Sequence, residues 1–257
     1  RAGLDGMVVL ITGAARGIGA AIAHEAAAAG AEAMVLVDRD PVDLDLPCDC
    51  ESVAADLALP DAPAEVISAA LARFGRIDGL VNAAGLTTRA GYGDATVETW
   101  NRMFSVNTRA PFFLMDGAIA DMKARGRPGS IVNILSMNAH CGAPDLAVYS
   151  ATKGALLTLT KNAANAHMAE RIRVNGINLG WTDTETERHL HAVTLGRGEG
   201  WLDARAAEMP LGRLISAGDC ARQAVWLLSP ASAPMTGVCL DLEQTVFRAN
   251  HRSNVVP

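Results

Sequence analysis

The chain is poor in aromatic residues and in cysteine. Phe, Trp and Tyr make up 4% of its 257 residues, and tyrosine occurs only twice. A core with so few aromatics must be aliphatic, so each tyrosine or tryptophan is a candidate for a specific task. Cysteine occurs five times with irregular spacing, at Cys48, Cys50, Cys141, Cys220 and Cys239. An odd, irregular set argues against a disulfide framework and predicts free thiols in a reducing, cytoplasmic compartment.

The chain also lacks an excess of positive charge and a long apolar run. Its formal net charge is −6, which disfavours nucleic-acid binding because nucleic-acid-binding proteins carry a basic field. No apolar segment approaches the roughly 20 residues that a transmembrane helix needs. Neither Cys48-Asp-Cys50 nor His189-Leu-His191 has enough further ligands nearby to predict a metal site. The expected partner is therefore a small molecule rather than nucleic acid, membrane or metal.

The chain does contain a regular alternation of short apolar runs and helix-forming segments. Strands are predicted at residues 7–12, 33–38, 52–55, 77–85, 130–135, 172–179 and 236–242, and helices at about 18–30, 61–74, 96–122, 149–168 and 217–228. Such alternation is typical of a parallel sheet covered by helices on both faces. We expect an α/β fold, a single Rossmann-like, doubly wound domain over 1–257. Residues 182–208 lack clear periodicity, and so long a connection is typical of a substrate lid.

A glycine-rich turn follows the first strand. In "TGAARGIG" (12–19), Gly13, Gly17 and Gly19 depart from the G-x-G-x-x-G spacing but can meet the same needs. One glycine allows a tight strand-to-helix turn, one lets the backbone approach a pyrophosphate, and one lets helix and strand pack closely. The helix N-terminus then favours negatively charged phosphates. The turn predicts a dinucleotide site, with a ligand-free glycine turn as the alternative.

Acidic residues at the ends of the next strands bear on which dinucleotide is bound. Asp38 lies nineteen residues after Gly19, where an acid accepts hydrogen bonds from the ribose of NAD and disfavours the 2′-phosphate of NADP. NAD is therefore predicted. Arg16 and Arg39 keep NADP open, because a guanidinium binds phosphate well. Asp56 is expected either to contact adenine or to cap a helix.

Four polar side chains stand at strand ends or on helix faces. Asn107 lies within "SVNTRAPFF", Ser136 follows the strand "SIVNIL", and Tyr149 and Lys153 share a helix face at i and i+4. Ligands of doubly wound sheets bind beyond the carboxyl ends of the strands, where Ser136 should lie. A free tyrosine titrates near pH 10, and a nearby ammonium would lower its pKa. The alternative is a tyrosine that only packs on its neighbours.

These motifs together resemble the short-chain dehydrogenase/reductase family. The resemblance covers essentially the whole chain, through "TGAARGIG" (12–19), "VNAAG" (81–85), "SVN" (105–107), "NILS" (133–136), "YSATK" (149–153) and "MTG" (235–237). It implies a Rossmann-like domain that uses NAD or NADP and forms a homotetramer or homodimer.

The resemblance also implies roles for individual residues. Tyr149 would be the general acid/base, and Ser136 would polarise the substrate oxygen. Lys153 would hold the nicotinamide ribose and lower the pKa of the tyrosine, and Asn107 would support a water that relays protons. Beyond the glycine turn and the residues around Asp38, it implies a cofactor site that includes Ile18, Leu57, Asn82, Ala83, Gly85, Tyr149, Lys153, Thr182 and Thr184.

The chain departs from the family pattern at three places. Asn82-Ala83-Ala84-Gly85 stands where many members have Asn-Asn-Ala-Gly. Leu179-Gly180 replaces the common Pro-Gly, although Thr182 and Thr184 remain in position to bind the nicotinamide carboxamide. The ending "VCLDLEQ" (238–244) lacks the common Asp-Gly-Gly and weakly resembles sugar-oxidising members.

The substrate site is expected between the loop after Ser136 and the lid. Its candidate residues are Ser136, Asn138, His140, Tyr149, Trp181 and His189. The lid also carries Arg188, His191, Arg197 and Arg205. Cationic and imidazole groups favour a polyhydroxylated or anionic substrate over a steroid or acyl chain, which would need a more apolar lid.

The sequence thus predicts an NAD-dependent oxidoreductase that acts on a CH–OH or carbonyl group of a sugar (aldose) or polyol, in either direction. An NADPH-dependent ketone or 3-oxoacyl reductase is the alternative that Arg16 and Arg39 keep open. A non-catalytic dinucleotide sensor is a third, but such a protein should have lost Tyr149 or Lys153, and this chain has both.

Overall fold

The computed structural model describes residues 3–245 and is organised around a seven-stranded sheet. Nine strands are present: β1 (Val8–Thr12), β2 (Ala33–Asp38), β3 (Asp49–Ala54), β4 (Gly79–Asn82), β5 (Gly129–Ile134), β6 (Ile172–Leu179), β7 (Thr182–Asp183), β8 (Ile215–Ser216) and β9 (Cys239–Leu242). The main sheet has the order β3-β2-β1-β4-β5-β6-β9, and every pairing in it is parallel. β7 and β8 pair separately from it.

The helices cover both faces of this sheet. They are α1 (Gly17–Ala28), α2 (Ala62–Phe74), α3 (Val97–Phe104), α4 (Ala110–Ala124), α5 (Ala147–Ala166), α6 (Glu185–His189), α7 (Trp201–Ala207) and α8 (Ala217–Leu228). One apolar cluster joins β1 and β2 to α1 and α8, and a second joins the other face to α2, α4 and α5. The doubly wound Rossmann-like prediction is confirmed.

The order of strands determines where a ligand can bind. The chain moves outward from β1 to β3, then returns to place β4 on the other side of β1. The crossovers on the two sides therefore diverge and leave a crevice beyond the carboxyl ends of β1 and β4. The glycine-rich turn leaves β1 at this crevice, and residues 83–85 leave β4 there.

The predicted elements agree with the structure except in two helical regions. The helix expected at 96–122 is α3 and α4 joined by a π-helical segment, Ser105–Arg109. Residues 182–208, where the sequence shows no clear periodicity, contain β7, α6, a π-helical segment (Leu190–Thr194) and α7. These pieces span two to seven residues, which is too short for a helical period to appear in the sequence. Within residues 3–245, no helix is both long and apolar enough to cross a membrane.

Candidate active site

The glycine-rich turn brings the start of α1 against the end of β1. A Cβ atom on Gly19 would lie 2.0 Å from the Gly13 carbonyl oxygen, so only glycine allows this approach of helix to turn. Gly13 has a φ of +71°, and a Cβ there would lie 2.9 Å from the backbone of Ala84. The turn thus leaves bare backbone and a helix N-terminus at the crevice, a combination that fits a pyrophosphate.

Asp38 is fixed at the end of β2 by backbone donors. The Ala15 N–H donates to its Oδ2 and the Asp40 N–H to its Oδ1, each at 3.0 Å. Arg16 is hydrogen-bonded to the Asp40 carboxylate, and the Arg39 Nε lies 3.6 Å from the same group. The two arginines expected to favour a 2′-phosphate therefore already face a carboxylate.

Asp56 and Leu57 lie where the cavity reaches the end of β3. Asp56 Oδ1 accepts a hydrogen bond from the Ala58 N–H at 2.9 Å, and its Oδ2 lies 3.5 Å from Arg102 Nη2. Asp56 therefore closes a local turn, whereas Asp61 stands at the N-terminus of α2. The side chain of Asp56 is not a helix cap, and Asp56 and Leu57 both line the cavity.

The end of β4 supplies main chain rather than side chain to the site. The Thr12 hydroxyl accepts hydrogen bonds from the Ala83 and Ala84 N–H groups, both at 3.1 Å, and this fixes the turn before Gly85. Asn82 was expected in the cofactor site, but its side chain is buried in the sheet and donates to Asn133 Oδ1 at 2.8 Å. It does not line the cavity, since its register partner across β4 and β5 is Asn133.

Ser136, Tyr149 and Lys153 meet at the carboxyl end of β5. The side chains of Ser136 and Tyr149 are hydrogen-bonded to each other. Lys153 donates from Nζ to the Ile134 carbonyl at 2.7 Å, and its Nζ is 5.8 Å from the centre of the Tyr149 ring. All three side chains are buried and line the cavity. The helical spacing therefore places Tyr149 and Lys153 side by side.

The electrostatics of this group differ from the expectation. Burial raises the pKa of Tyr149 to about 12, against the lowering effect of its bond to Ser136, and the nearby Glu187 carboxylate raises it further. Burial lowers the pKa of Lys153 to about 8. The expected lowering of the Tyr149 pKa by Lys153 is not seen, because burial sets the direction of the shift. In both groups burial moves the pKa toward the uncharged form.

Asn107 lies inside the π-helical segment and is completely buried. Its Oδ1 accepts from the Leu86 N–H at 2.8 Å, and its Nδ2 donates to the Leu86 carbonyl at 2.9 Å and to Thr152 Oγ1 at 3.0 Å. The Thr152 hydroxyl donates in turn to the Tyr149 carbonyl at 2.7 Å. Asn107 thus joins the loop after β4 to the helix that carries Tyr149 and Lys153.

These features surround one cavity of about 1010 Å³, enough for a ligand larger than a typical drug-sized molecule. The expected cofactor residues that line it are Gly13, Arg16, Gly17, Ile18, Gly19, Asp38, Arg39, Asp56, Leu57, Ala83, Gly85, Tyr149, Lys153, Thr182 and Thr184. The Thr182 hydroxyl donates to the Gly180 carbonyl, and the Thr184 hydroxyl accepts from the Glu187 N–H as the cap of α6.

The expected substrate residues fall into two groups. Ser136, Asn138, Tyr149, Trp181 and His189 line the cavity. His140 does not, and this expectation was wrong. A 3₁₀ turn over Met137–Ala139 carries the chain away, and the His140 imidazole lies 3.4 Å from Asn178 Nδ2 and 3.6 Å from Asp241 Oδ1.

Sequence reasoning named Trp181, His191 and Arg197 but missed Glu187 and Trp201 and the contacts that join all five. We call Trp181, Glu187, His191, Arg197 and Trp201 the lid cluster. Glu187 Oε1 accepts hydrogen bonds from Trp181 Nε1 at 2.8 Å and from His191 Nε2 at 2.9 Å. The His191 ring stacks on Trp201 at 4.5 Å, and the Arg197 guanidinium lies 4.2 Å from the Trp201 ring centre. All five line the cavity.

Glu187 and His191 have an i, i+4 spacing that could have signalled a shared helix face. His191 is buried, whereas His189, two residues earlier, is exposed. Glu243, at the chain's unusual ending, also lines the cavity, and a Cβ on Gly180 would lie 2.2 Å from its Oε2. Two of the departures from the family pattern, Leu179-Gly180 and "VCLDLEQ", are therefore in contact.

The cations of the lid are engaged with neighbouring groups. Arg188 forms two hydrogen bonds to Asp183, at 2.6 and 2.7 Å, and one to Asp203 at 3.0 Å. Arg205 pairs with Glu208. Neither arginine lines the cavity. The expectation that lid cations favour an anionic substrate therefore loses much of its support, while the polyhydroxylated alternative is untouched.

Residues 3–245 contain no group of three or more His, Cys, Asp or Glu side chains arranged to hold a metal ion. The Cys48 and Cys50 sulfurs are 3.9 Å apart, and burial raises the pKa of Cys50 to about 12, which keeps it a thiol.

Known proteins resemble the chain over almost its full length. A family model described as "Enoyl-(Acyl carrier protein) reductase" matches residues 13–243. Gluconate 5-dehydrogenase of Gluconobacter oxydans (strain 621H) is 34% identical over 245 residues, which is 92% of this chain and 93% of that protein. Galactitol 2-dehydrogenase of Agrobacterium fabrum is 34% identical over 247 residues, 89% of this chain and 93% of that protein.

A solved structure shares the architecture just described. L-sorbose reductase from Gluconobacter frateurii, crystallised with NADPH and L-sorbose, superposes with a TM-score of 0.87 at 30% identity. The match covers 96% of this chain and 98% of that one.

Proposed function

The chain belongs to the short-chain dehydrogenase/reductase family, and from that premise we propose that it is an NAD-dependent sugar or polyol oxidoreductase. It would transfer a hydride between nicotinamide and a CH–OH or carbonyl carbon. The observation that carries the proposal is the contact of Ser136, Tyr149 and Lys153 in the cavity that the glycine-rich turn also lines. A proton-transferring group and a dinucleotide cradle in one cavity suit this chemistry.

Tyr149 is the group that exchanges a proton with the substrate oxygen. When bound, the nicotinamide supplies or accepts the hydride. With a pKa of about 12, the Tyr149 phenol is protonated at neutral pH and can donate to the oxygen of a carbonyl substrate. Ser136, already hydrogen-bonded to Tyr149, donates to the same oxygen. In the direction of alcohol oxidation Tyr149 must first lose its proton, so that direction gains as pH rises.

Lys153 and Asn107 support the proton transfer of Tyr149. A pKa of about 8 lets Lys153 hold or release a proton near neutral pH, which suits a relay between Tyr149 and solvent. Lys153 Nζ lies 3.5 Å from the position of a Cβ on Gly85, so this glycine leaves space beside the ammonium for a ribose. Asn107 holds the Leu86 main chain and Thr152 in place around that space.

The cofactor is proposed to be NAD rather than NADP. The Asp38 carboxylate is fixed by two N–H donors at the end of β2, and Asp40 adds a second carboxylate. A 2′-phosphate would meet both, and Arg16 would have to leave Asp40 to bind it. NADP is the alternative cofactor, since the similar L-sorbose reductase was crystallised with NADPH.

The substrate class is proposed from the cavity and the relatives together. Galactitol, gluconate and L-sorbose, named for three similar proteins, all carry several hydroxyl groups. The wall opposite Tyr149 offers polar partners for such groups, among them Asn138, Glu187 and His189. An NADPH-dependent ketone or 3-oxoacyl reductase is the second candidate, favoured by the description of the matching family model.

A cofactor titration and a substrate screen test the proposal. NADH and NADPH are titrated by fluorescence, and tighter binding of NADH is expected. Galactitol, sorbitol, aldoses and simple secondary alcohols are then followed with NAD⁺ at 340 nm, and L-sorbose, apolar ketones and acyl ketones with NADH and with NADPH. Turnover of at least one polyhydroxylated compound is expected. Turnover confined to apolar or acyl ketones with NADPH would replace this function by the second candidate.

A further inference from the structure

The lid places one carboxylate in the cavity, close enough to act on the tyrosine. Glu187 lines the cavity, and its charge acts on Tyr149. Its side chain is 22% exposed, so the carboxylate is largely but not fully removed from water. An ionised carboxylate only accepts hydrogen bonds, and a substrate hydroxyl is a donor that can satisfy it.

Two fixed donors set the orientation of Glu187. The indole Nε1 of Trp181 can only donate, and it donates to Glu187 Oε1. The Arg197 guanidinium also can only donate, and its Nη1 lies 3.0 Å from His191 Nδ1. His191 Nδ1 must therefore be the acceptor, which assigns the proton of the neutral ring to Nε2, and Nε2 donates to Glu187 Oε1.

This arrangement occupies one oxygen of Glu187 and spares the other. Both hydrogen bonds end on Oε1, and within residues 3–245 neither uses Oε2. His191 is buried, stacked on Trp201 and bonded to Arg197, so its ring position is fixed. The fixed ring in turn fixes the position of Glu187 Oε1. The carboxylate is therefore an oriented acceptor rather than a mobile surface charge.

The other charges around the cavity determine whether the Glu187 carboxylate favours neutral or anionic substrates. Arg16 is bonded to Asp40, Arg89 to Asp145 and Arg102 to Asp56, so these cavity arginines already face carboxylates. Arg197 is directed to His191 and Trp201. Arg197 lies beyond the His191 ring, on Nδ1, and does not pair directly with Glu187, so the Glu187 carboxylate keeps its negative charge toward a substrate. An anionic substrate would be repelled, and a neutral polyol would be bound.

We propose that Glu187 is a specificity-determining residue of this enzyme. It accepts a hydrogen bond from a substrate hydroxyl near the reacting carbon, and it selects neutral sugars and polyols against sugar acids. The proposal rests on the proposed function and narrows its substrate class, since gluconate, galactitol and L-sorbose are all polyhydroxylated but only gluconate is anionic.

The test compares a neutral and an anionic probe of the same carbon length. Sorbitol and D-gluconate are assayed with NAD⁺ for the wild type, Glu187→Gln and the control Glu199→Gln. The control removes the same charge from an exposed position of the lid that does not line the cavity. In Glu187→Gln the KM for sorbitol should rise about tenfold or more, as for a lost hydrogen bond to a charged group. The preference for sorbitol over gluconate should shrink by a similar factor, with unchanged NADH affinity. The control should leave all three values unaltered.

A second variant separates recognition from support of the lid. Glu187→Asp keeps the charge but shortens the side chain, so it should lose affinity for sorbitol while it still discriminates against gluconate. A purely structural Glu187 would make the two variants equally impaired on both probes, and that result would overturn the inference. So would an unchanged preference in Glu187→Gln. If the wild type turns over no polyhydroxylated compound, the proposed function itself fails.

Discussion

The two walls of the cavity are built from different kinds of contact. On one wall, Lys153 is bonded to the main chain of Ile134, and Asn107, which is buried outside the cavity lining, is bonded to the main chain of Leu86. On the other, Glu187 and His191 are bonded to side chains of the lid. Main-chain partners belong to the sheet and its helices and move little, whereas side-chain partners depend on each other's rotamers.

The difference separates chemistry from selection. The wall that handles the proton is fixed by the fold itself, so it can serve any substrate whose oxygen reaches Tyr149. Lid residues can be substituted without disturbing a buried strand, so the lid can determine which substrate binds. Variants of the first wall should therefore reduce kcat, and variants of the second should mainly raise KM.

The largest effect is expected for Tyr149→Phe. Removal of the hydroxyl leaves the ring in place but abolishes proton transfer, so kcat should fall by about 10²–10⁴-fold. NADH affinity, measured by fluorescence titration, should stay within a factor of two or three, since the main-chain cradle is intact. Tyr92→Phe is the matched control, because Tyr92 is fully exposed. Turnover that survived in Tyr149→Phe would remove the proposed mechanism.

An intermediate effect is expected for Lys153 and pH. The pKa of Lys153 is about 8 in the folded chain against 10.5 for an exposed lysine. Burial of the charged ammonium therefore lowers the unfolding free energy at low pH. This penalty is absent above pH 10.5, where the amine is neutral in both states, and it is complete once the pH has fallen through 8. From pH 6 to 10, the unfolding free energy of the wild type should therefore rise relative to Lys153→Met by about 2–3 kcal/mol.

Urea unfolding of the cofactor-free chain at a series of pH values measures this difference. Lys161→Met is the control, since Lys161 lies on the same helix but is exposed. Its difference from the wild type should not change with pH. A flat difference for Lys153→Met as well would mean that Lys153 is not held in a dry environment.

The smallest effect is expected in the lid, for Trp201→Leu. Loss of the rings' stacking should loosen His191 and, through it, Glu187, and raise KM for a neutral polyol roughly twofold to tenfold. The kcat should be unchanged, because no contact of Tyr149 is removed. Trp100→Leu, at a half-exposed position on α3, is the control. A fall in kcat with constant KM would show that the two walls are coupled.

The catalytic wall was predictable from sequence because its residues obey regular spacings. The four-position spacing from Tyr149 to Lys153 matches a helical turn, and the polar position after "SIVNIL" matches a strand end. The same reasoning failed for Asn82 and His140, whose side chains follow local geometry. The first faces its strand neighbour Asn133, and the second follows a 3₁₀ turn toward Asp241.

The lid was harder to predict because its order comes from tertiary contacts. Helices α6 and α7 are five and seven residues long, below the length at which propensity alone stabilises a helix. Their ring stacking and ion pairs connect residues as far apart as 181 and 201. At that separation a sequence pattern does not predict which side chains meet. The pKa of Tyr149 was mispredicted for a related reason. The burial of Tyr149 depends on Ser136, Lys153 and the lid together. Sequence spacing alone does not predict the solvent exposure of a side chain.

The π-helical segment at Ser105–Arg109 has a consequence for how this chain can vary. An α-helix advances about 100° per residue, so the widened turn changes the phase between α3 and α4. Asn107 can then face α5 while the apolar residues of α4 face the sheet. A deletion of a single residue in this segment would restore a regular helix and rotate one of its halves by about that angle. Either Asn107 would lose its hydrogen bonds to Leu86 and Thr152 or α4 would turn its apolar face to water. In evolutionary terms, this helix should accept substitutions far more readily than any change in its length.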